Sequence, residues 1–336
     1  MVRAAIVGIG RWGEALVASV QGKSDEIRFT RGHTRSPAKV EAFCRDRGIA
    51  LADDYEAVLA DPAVDAVVLA TPHSQHGEQI RRAAAAGKHV FVEKPFTLDV
   101  RDARAALAAA AEAGIVLAVG FNRRFHPSMA EMRRRVREGA LGVIESCVVE
   151  QTAGAGASIQ PGAWRADPSE TPAGAMTGIG IHIVDAMISM FGRVSEAHCV
   201  TARRAAPHVD DTTSAVLKFA AGMSGLFFCS LTTVPNYRFA VYGADAFAEI
   251  LRPTLEEFRY SPKPDPEAGN LVVVEPEVVR NPGFDTLHAE LIAFAACVRD
   301  RTPFPVPPEE VLHGVEAFEA IVASARAGKP VAVAGA

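Results

Sequence analysis

Three glycines near the start of the chain have a spacing that suits one kind of chemistry. Gly8, Gly10 and Gly13 follow a short apolar run and open a stretch with a helical pattern. In this pattern the first glycine permits a tight turn, the second lets backbone approach a pyrophosphate, and the third lets helix pack on strand. The free N–H groups at the helix start attract phosphate. The turn therefore predicts a dinucleotide site that includes Arg11 and Trp12, with Trp12 either covering the dinucleotide or filling a surface groove.

The residues after the second predicted strand bear on the choice of dinucleotide. An NAD enzyme usually places Asp or Glu about 20 residues beyond the glycine turn, where it accepts from the ribose hydroxyls. The position 21 residues beyond Gly13 is Thr34, followed by Arg35 and Ser36. No carboxylate is there to repel a 2′-phosphate, and an arginine can pair with that phosphate or stack on adenine. We therefore predict NADP as the cofactor, with NAD as the alternative if Arg35 is an ordinary solvated residue.

The elements that position these residues alternate over the first 120 residues. Apolar runs without polar alternation are typical of buried parallel strands, and alanine-rich helical stretches separate them. Strands alternating with helices of this length indicate βαβ units with right-handed crossovers. The predicted strands are 4–10, 27–35, 64–70, 89–95 and 115–120, and the predicted helices are 13–20, 37–47, 75–86 and 98–113.

Beyond about residue 122 alternating strands dominate, which favours antiparallel pairing. The predicted strands are 143–153, 196–202, 213–219, 224–233, 239–242, 246–251 and 271–274, and the predicted helices are 129–142, 175–190, 285–299 and 308–327. We therefore predict an α/β protein with two domains. Residues 1–121 form a Rossmann domain with a doubly wound parallel sheet. Residues 122–336 form an α/β domain for substrate binding and oligomerisation, with a large, mostly antiparallel, open-faced sheet.

Composition excludes several classes of protein. The 336 residues agree with about two domains. With 35 Lys+Arg against 40 Asp+Glu, a net charge of −5 argues against a nucleic-acid partner. The sequence has no run of about 18 apolar residues, so no membrane span is predicted. The five scattered cysteines and the absence of a secretory pattern favour the cytoplasm. We expect a small-molecule substrate, with neither nucleic acid nor membrane as partner.

Further motifs identify the chain as a member of a known family. They are the glycine turn, Thr71-Pro72-His73-Ser74-Gln75-His76, AAAAGKHVFVEKP at 83–95, GFNRRF at 120–125, Trp164-Arg165, GIHIVD at 180–185 and SARAGKPV at 324–331. Together they resemble the Gfo/Idh/MocA oxidoreductases, named partly after glucose–fructose oxidoreductase and inositol dehydrogenase. The resemblance covers the whole chain, and GKHVxxEKP is its most specific part.

The resemblance implies two catalytic residues. Lys94 reaches the reacting hydroxyl or carbonyl beside the nicotinamide, and His182 is its acid–base partner. Pro95 resembles a proline that often follows a cis bond, and Glu93 is a positional partner for Lys94 or for a ribose. Asp185, one turn beyond His182, either orients that histidine or pairs at the surface.

Other residues take their roles from the same resemblance, and no metal site is expected. Cofactor contacts are expected from Thr71, Pro72, His73, His76, Glu93, Lys94 and Asn122, where His73 and His76 act as contacts or helix caps. Substrate contacts are expected from Lys94, Arg123, Trp164, Arg165, Thr177 and His182. The chain departs from the family at Gly178, where many sugar and inositol dehydrogenases have Asp; Thr177 is a possible substitute donor.

The implied reaction is hydride transfer between a nicotinamide and a carbinol or carbonyl carbon, on a sugar, cyclitol or related hydroxylated ring. Two alternatives stay open: a dihydrodiol dehydrogenase or other small-carbonyl reductase of the family, and a non-catalytic sensor that binds the cofactor. The resemblance also implies a homodimer or homotetramer formed through the C-terminal sheet.

Overall fold

A computed structural model describes residues 1–265, 267 and 272–335 of the chain. The chain divides into two compact units, and neither is continuous in sequence. The first comprises Met1–Asn122 and Asp285–Val315, and the second comprises Arg123–Phe284 and Glu316–Ala336. This differs from the predicted division after residue 121, because residues 285–315 return to the first unit.

The first unit contains a parallel sheet with the strand order β3-β2-β1-β4-β5-β6. The order reverses between β1 and β4, which pair directly. Its strands are β1 Val2–Val7, β2 Ile27–His33, β3 Ala50–Leu51, β4 Ala66–Leu69, β5 His89–Glu93 and β6 Leu117–Gly120. Its helices are α1 Arg11–Val20, α2 Glu41–Asp46, α3 Tyr55–Ala60, α4 His76–Ala85, α5 Val100–Glu112 and, much later in the chain, α8 Thr286–Asp300. The predicted doubly wound Rossmann sheet is confirmed.

Two elements of this unit were not predicted. β3 has only two residues, so no alternation could reveal it. α3 has six, and its start is held by Asp54, whose Oδ1 accepts from the backbone N–H of Ala57 at 2.7 Å. An acidic N-cap before a short apolar run was the available signal. The predicted helix 37–47 is instead a single 3₁₀ turn at Pro37–Lys39 followed by α2.

α8 belongs to the first unit because its apolar face packs there. Phe294 is fully buried, and its ring packs edge-to-face on Phe91 of β5, with 5.8 Å between the centroids. At the other end of the helix, His288 Nδ1 lies 2.8 Å from the carbonyl oxygen of Ser19 in α1. The helix thus contacts both β5 and α1 within the first unit.

The second unit contains a large sheet with the strand order β14-β13-β12-β11-β7-β10-β9-β8-β15. Pairing is antiparallel except between β7 and β10, so the predicted mostly antiparallel sheet is confirmed. Its strands are β7 Ile144–Thr152, β8 Val194–Ala202, β9 Thr212–Phe219, β10 Ser224–Ser230, β11 Asn236–Gly243, β12 Ala246–Leu251, β13 Glu257–Pro262, β14 Glu277–Arg280 and β15 Val331–Ala332. Its helices are α6 Pro127–Arg137 and α7 Ile181–Phe191, and α9 Pro308–Ala327 begins in the first unit and ends in the second.

The predicted strand at 271–274 does not correspond to the structure. Residue 271 lies outside the described residues, and residues 272–274 are not in a strand; the strand that closes this edge is β14. β13, its partner, was not predicted, because its sequence EFRYSP mixes charges and a proline into a short run.

The two faces of this sheet differ. One face packs on α7, and glycines allow the close approach: a Cβ on Gly225 would lie 2.8 Å from Cys147 Sγ and 3.4 Å from the methyl carbon of Met187. The other face exposes apolar side chains near the middle of the sheet, among them Leu226 and Phe228 at 41% and 38% exposure. Within the described residues no helix is long and apolar enough to cross a membrane.

Candidate functional site

The glycine turn lies where β1 ends and α1 begins. Gly8 has a φ of +92°, and a Cβ on it would lie 2.6 Å from the carbonyl oxygen of Ala70. A Cβ on Gly13 would lie 2.3 Å from the carbonyl oxygen of Gly8. Gly10, at the N-cap of α1, has open space where a side chain would be. A pyrophosphate needs this arrangement: free N–H groups at a helix start and no side chain in front of them.

The neighbouring residues of this turn differ in exposure. Arg11 is exposed, and Trp12 is half-buried with an indole N–H that has no hydrogen-bond partner among the described residues. The backbone N–H of Gly8 donates to the carbonyl oxygen of His33 at 2.9 Å, which places the end of β2 beside the turn. Thr34 therefore follows directly, half-buried, and Arg35 is exposed. Ser36, also exposed, completes the segment predicted to select the cofactor.

His76 joins two turns at the same edge of the sheet. It is fully buried at the start of α4, with Nδ1 2.9 Å from the carbonyl oxygen of Pro95 and Nε2 3.1 Å from that of Thr71. Pro72 follows Thr71 in this turn, and the ring of His73 packs edge-to-face on His76, with 5.9 Å between centroids. His76 thus fixes the turn after β4 to the turn after β5, a positional role beyond the predicted cofactor contact or cap.

Lys94 stands in the turn after β5, and the peptide bond between Lys94 and Pro95 is cis. Glu93, the last residue of β5, is buried, and its Oε2 accepts from the backbone N–H of Lys94 at 3.2 Å. β1, β4 and β5 are parallel neighbours. Lys94 and the glycine turn therefore lie at the same carboxyl edge of the sheet, where open α/β sheets bind ligands.

Asn122 ends the first segment of this unit. Its side-chain amide donates to Thr286 Oγ1 at 2.7 Å, and so ties the end of β6 to the start of α8. The sequence motif predicts Asn122 at the cofactor but gives no sign of this link to α8, because the two partners are 164 residues apart.

In the second unit His182 lies in the first turn of α7, buried, directly after a π-helical turn at Met176–Gly180. π-helical turns occur often at functional sites. A Cβ on Gly178 would meet only the Cδ atoms of Leu231, at 3.5 and 3.7 Å. Position 178 therefore has room for a Cβ atom, so contact at that atom does not require a glycine there.

Asp185 does not pair at the surface. It is buried and accepts two hydrogen bonds from Arg124, one from Nε at 2.8 Å and one from Nη2 at 2.6 Å. This ion pair joins the start of the second unit to the helix that carries His182. Arg124 is not among the predicted site residues, although it lies in the FNRRF motif.

The remaining predicted substrate residues, all in the second unit, have three different surroundings. The guanidinium of Arg123 lies 4.9 Å from the ring centroid of Tyr237, and burial lowers the pKa of Arg123. Thr177 is fully buried, and its hydroxyl donates to the carbonyl oxygen of Pro172. The predicted donation from Thr177 to a substrate would require that bond to break. Trp164 and Arg165 form a short 3₁₀ turn in which the guanidinium lies 4.1 Å from the indole ring.

In the part of the chain that the structure describes, no three His, Cys, Asp or Glu side chains are grouped so that they could hold a metal ion. The five cysteines are buried and free.

Two family descriptions match the chain. "Oxidoreductase family, NAD-binding Rossmann fold" matches residues 2–121, and "GFO/IDH/MocA C-terminal domain" matches residues 129–249. Together these segments make up more than half of the chain.

The chain is also similar to known dehydrogenases. It is 31% identical to the inositol 2-dehydrogenase of Rhizobium meliloti (strain 1021), over 74% of this chain and 72% of that protein. It is 40% identical to the scyllo-inositol 2-dehydrogenase (NAD(+)) of Bacillus subtilis (strain 168), but that match spans only 42% of either protein. Levoglucosan dehydrogenase in complex with NADH has the same fold, with a TM-score of 0.88, 21% identity and 99% of both chains covered.

The two glycines of the turn predict two different defects. Gly10→Ala should leave the melting temperature of the free protein unchanged, because its Cβ meets no atom within 4 Å. It should abolish the rise in melting temperature that NAD(P)H causes, because the new methyl group occupies the approach to the pyrophosphate.

Gly13→Ala is the matched comparison. Its Cβ meets backbone, so this variant should melt at a lower temperature even without the cofactor. Calorimetry with and without NADPH separates the two. If Gly10→Ala still bound the dinucleotide with unchanged affinity, the assignment of the turn would be wrong.

Proposed function

The chain belongs to the Gfo/Idh/MocA family of oxidoreductases, and we propose that it is an NADP-dependent dehydrogenase of a sugar, cyclitol or related hydroxylated ring. The observation that carries the proposal is the position of Lys94 on the same sheet edge as the glycine turn. The residues that would hold the dinucleotide are those of the glycine turn, and their open N–H groups fit its phosphates. When bound, the nicotinamide exchanges a hydride with the substrate carbon.

Lys94 and His182 have complementary tasks in this proposal. The ammonium of Lys94 donates a hydrogen bond to the substrate oxygen and stabilises the negative charge that develops there. The imidazole of His182 takes the hydroxyl proton during oxidation and returns it during reduction. The Arg124–Asp185 ion pair supports the helix that carries His182. No side chain at position 178 assists the proton transfer, so these two groups act without the carboxylate found in many relatives.

Lys94→Met tests the assignment of the ammonium. The methionine keeps an apolar chain of similar length but cannot donate, so we expect kcat to fall by about 10²–10⁴-fold. The dissociation constant for NADPH, followed by its fluorescence, should change by less than about threefold, because the loss concerns the transition state.

Lys329→Met is the matched control, since Lys329 is an exposed lysine in the second unit, and it should keep wild-type kinetics. Turnover by Lys94→Met at the wild-type rate would contradict the role of Lys94. Absence of turnover by the wild type with polyols, dihydrodiols and ketones alike would favour the sensor.

The choice of NADP is supported by the segment after β2. This segment, Thr34-Arg35-Ser36, has two hydroxyls and a guanidinium but no carboxylate. It lies beside the glycine turn because the residue before it, His33, accepts a backbone hydrogen bond from Gly8. A guanidinium binds a 2′-phosphate through paired hydrogen bonds. NAD remains the alternative cofactor, and a dihydrodiol or small carbonyl remains the alternative substrate, which the glycine at position 178 favours.

Arg35→Ala should raise the KM for NADP about tenfold or more and leave the KM for NAD nearly unchanged. Absorbance of the reduced nicotinamide reports both values, in a screen of inositols, anhydrosugars and dihydrodiols with each cofactor. Arg45→Ala is the control, because Arg45 is an exposed arginine of the same unit that pairs only weakly with its neighbour Asp46 at 3.7 Å. Better saturation of the wild type by NAD than by NADP would overturn the assignment.

We also propose that the open face of the large sheet forms a homodimer or homotetramer contact in a cytoplasmic protein. Leu226 pairs with Val216 across β10 and β9, and Phe228 lies two residues further along β10, so they form a continuous apolar strip. Charged residues such as Arg238 and Glu249 flank it on β11 and β12. An apolar centre with a polar rim is typical of subunit interfaces. The five free buried cysteines agree with a reducing location.

Phe228→Glu should shift the protein to a smaller assembly in size-exclusion chromatography with light scattering, because a carboxylate at the centre of an apolar contact loses its solvation. Val273→Glu is the control at a more exposed valine, at 87% exposure, outside the strip. An unchanged molar mass for Phe228→Glu would place the contact elsewhere.

A further inference from the structure

One buried acidic side chain lies behind the turn that carries Lys94 and has no part in the functions described so far. Glu290, in the second turn of α8, is fully buried. Among the described residues, neither of its carboxyl oxygens has a hydrogen-bond partner. A carboxylate without donors in such surroundings is strongly destabilised by the loss of water.

The packing of α8 on β5 determines what Glu290 faces. Phe294 lies one turn beyond Glu290 on the same helix face, and Phe91 lies two residues before Glu93 on the same strand face. The rings of Phe294 and Phe91 are in contact. Glu290 and Glu93 are therefore the next pair of residues along this helix–strand contact, and both belong to the first unit.

Glu93 is itself confined by backbone. A Cβ on Gly120, its partner in β6, would lie 3.0 Å from Glu93 Oε1, so the carboxyl group lies directly over a residue without a side chain. Its other oxygen accepts from the backbone N–H of Lys94. The carboxyl group at 93 thus has little freedom to move away from Glu290.

Two negative charges act on Glu290. They are those of Glu93 on the facing strand and of Asp285, which caps α8 by accepting from the backbone N–H groups of Leu287 and His288. The His288 ring faces the carbonyl of Ser19 on α1. Burial, and then these two carboxylates, raise the pKa of Glu290 well above its usual value.

We propose that Glu290 and Glu93 form a pair that holds a single proton at neutral pH, and that Glu290 is a positioning residue for the turn that carries Lys94. A protonated carboxyl has one O–H donor. The Glu93 carboxylate is the expected acceptor for this O–H, because it is negatively charged and lies at the same helix–strand contact. Two carboxyl groups that are close together do not both ionise, since their negative charges repel each other.

The shared proton has a consequence for Lys94. Two ionised carboxylates behind the turn would place two negative charges beside one ammonium, whereas the pair with one proton places one. The single charge holds the Glu93 carboxylate on the Lys94 backbone N–H and leaves the ammonium able to donate towards a substrate. This consequence rests on the proposed function, but the proton content of the pair does not.

Stability against pH tests the proton content without any substrate. Unfolded Glu titrates at about 4.3. Above that pH the unfolded chain releases the proton and the folded chain keeps it, so the contribution of Glu290 to stability falls as pH rises towards the raised pKa. Glu290→Gln imitates the protonated acid and removes this loss. Its melting temperature relative to wild type should therefore rise by about 3 °C or more between about pH 5.5 and pH 8.5.

Asp65→Asn is the matched control in the same unit. Asp65 pairs with Arg3 at 2.6 Å, and this partner lowers the pKa of Asp65. Its stabilising effect is present above about pH 4 and lost only as pH falls further, so Asp65→Asn should lower the melting temperature by an amount that stays constant over the same range. A constant difference for Glu290→Gln as well would overturn the proposal.

Infrared spectroscopy provides the direct measurement. The wild type at neutral pH should have the carbonyl band of a protonated carboxyl, shifted by deuterium exchange, and Glu290→Gln should lack it. If the wild type lacked this band, the shared proton would be contradicted, whether or not the enzyme is active.

Kinetics then test the positioning role. Glu290→Leu places a side chain of similar size at this position, but leucine cannot form a hydrogen bond to Glu93. We therefore expect kcat to fall about tenfold, with little change in the KM for the dinucleotide. Glu290→Gln should recover most of that loss. Equal kcat values for the Leu variant and the wild type would reject the positioning role even if the proton is present.

Discussion

Backbone packed against backbone at the end of β1 is the contact on which the chemistry of the first unit depends. Gly13 lies against the carbonyl of Gly8, and Gly8 lies against the carbonyl of Ala70 at the end of β4. Because neither Gly8 nor Gly13 has a side chain, α1 can begin directly against the sheet with its first N–H groups free. Because β1, β4 and β5 are parallel, the turns that follow them meet at this edge. The glycines thus place the start of α1 at the same sheet edge as Lys94.

Side chains at this edge and in the second unit are held mainly by backbone atoms or by buried partners. His76 lies between two carbonyls, Asn122 is tied to the cap region of α8, and Thr177 is bonded to Pro172. Asp185 has its own arginine. Such groups are oriented before any ligand arrives, which reduces the cost of ordering them during binding. These partners hold the polar residues of the turns in fixed orientations at the edge of the sheet.

Local patterns predicted the parts of the fold that depend on neighbouring residues. The glycine spacing, the apolar runs of β1, β4 and β5 and the alternating strands of the second unit all appear in the structure. Contacts between distant residues were not predictable: Asp185 pairs with Arg124, 61 residues away, and α8 returns to the first unit. β3 was too short to have a period. The sequence does show Glu290 as a charged residue one turn before Phe294 on an apolar helix face. Its proposed role depends on Glu93, which only the folded structure brings near.

The return of α8 also affects how the chain can be made. During synthesis the ribosome releases β1 to β6 first, but the helix that packs on Phe91 follows only after β7 to β14 of the second unit, some 160 residues later. Until then the part of the nascent sheet around Phe91 lacks its native helix, and a domain that folds in order of synthesis cannot supply that helix early. The first unit therefore begins to fold first but cannot be completed until α8 is released, and the second unit waits longer still, for the end of α9 and for β15.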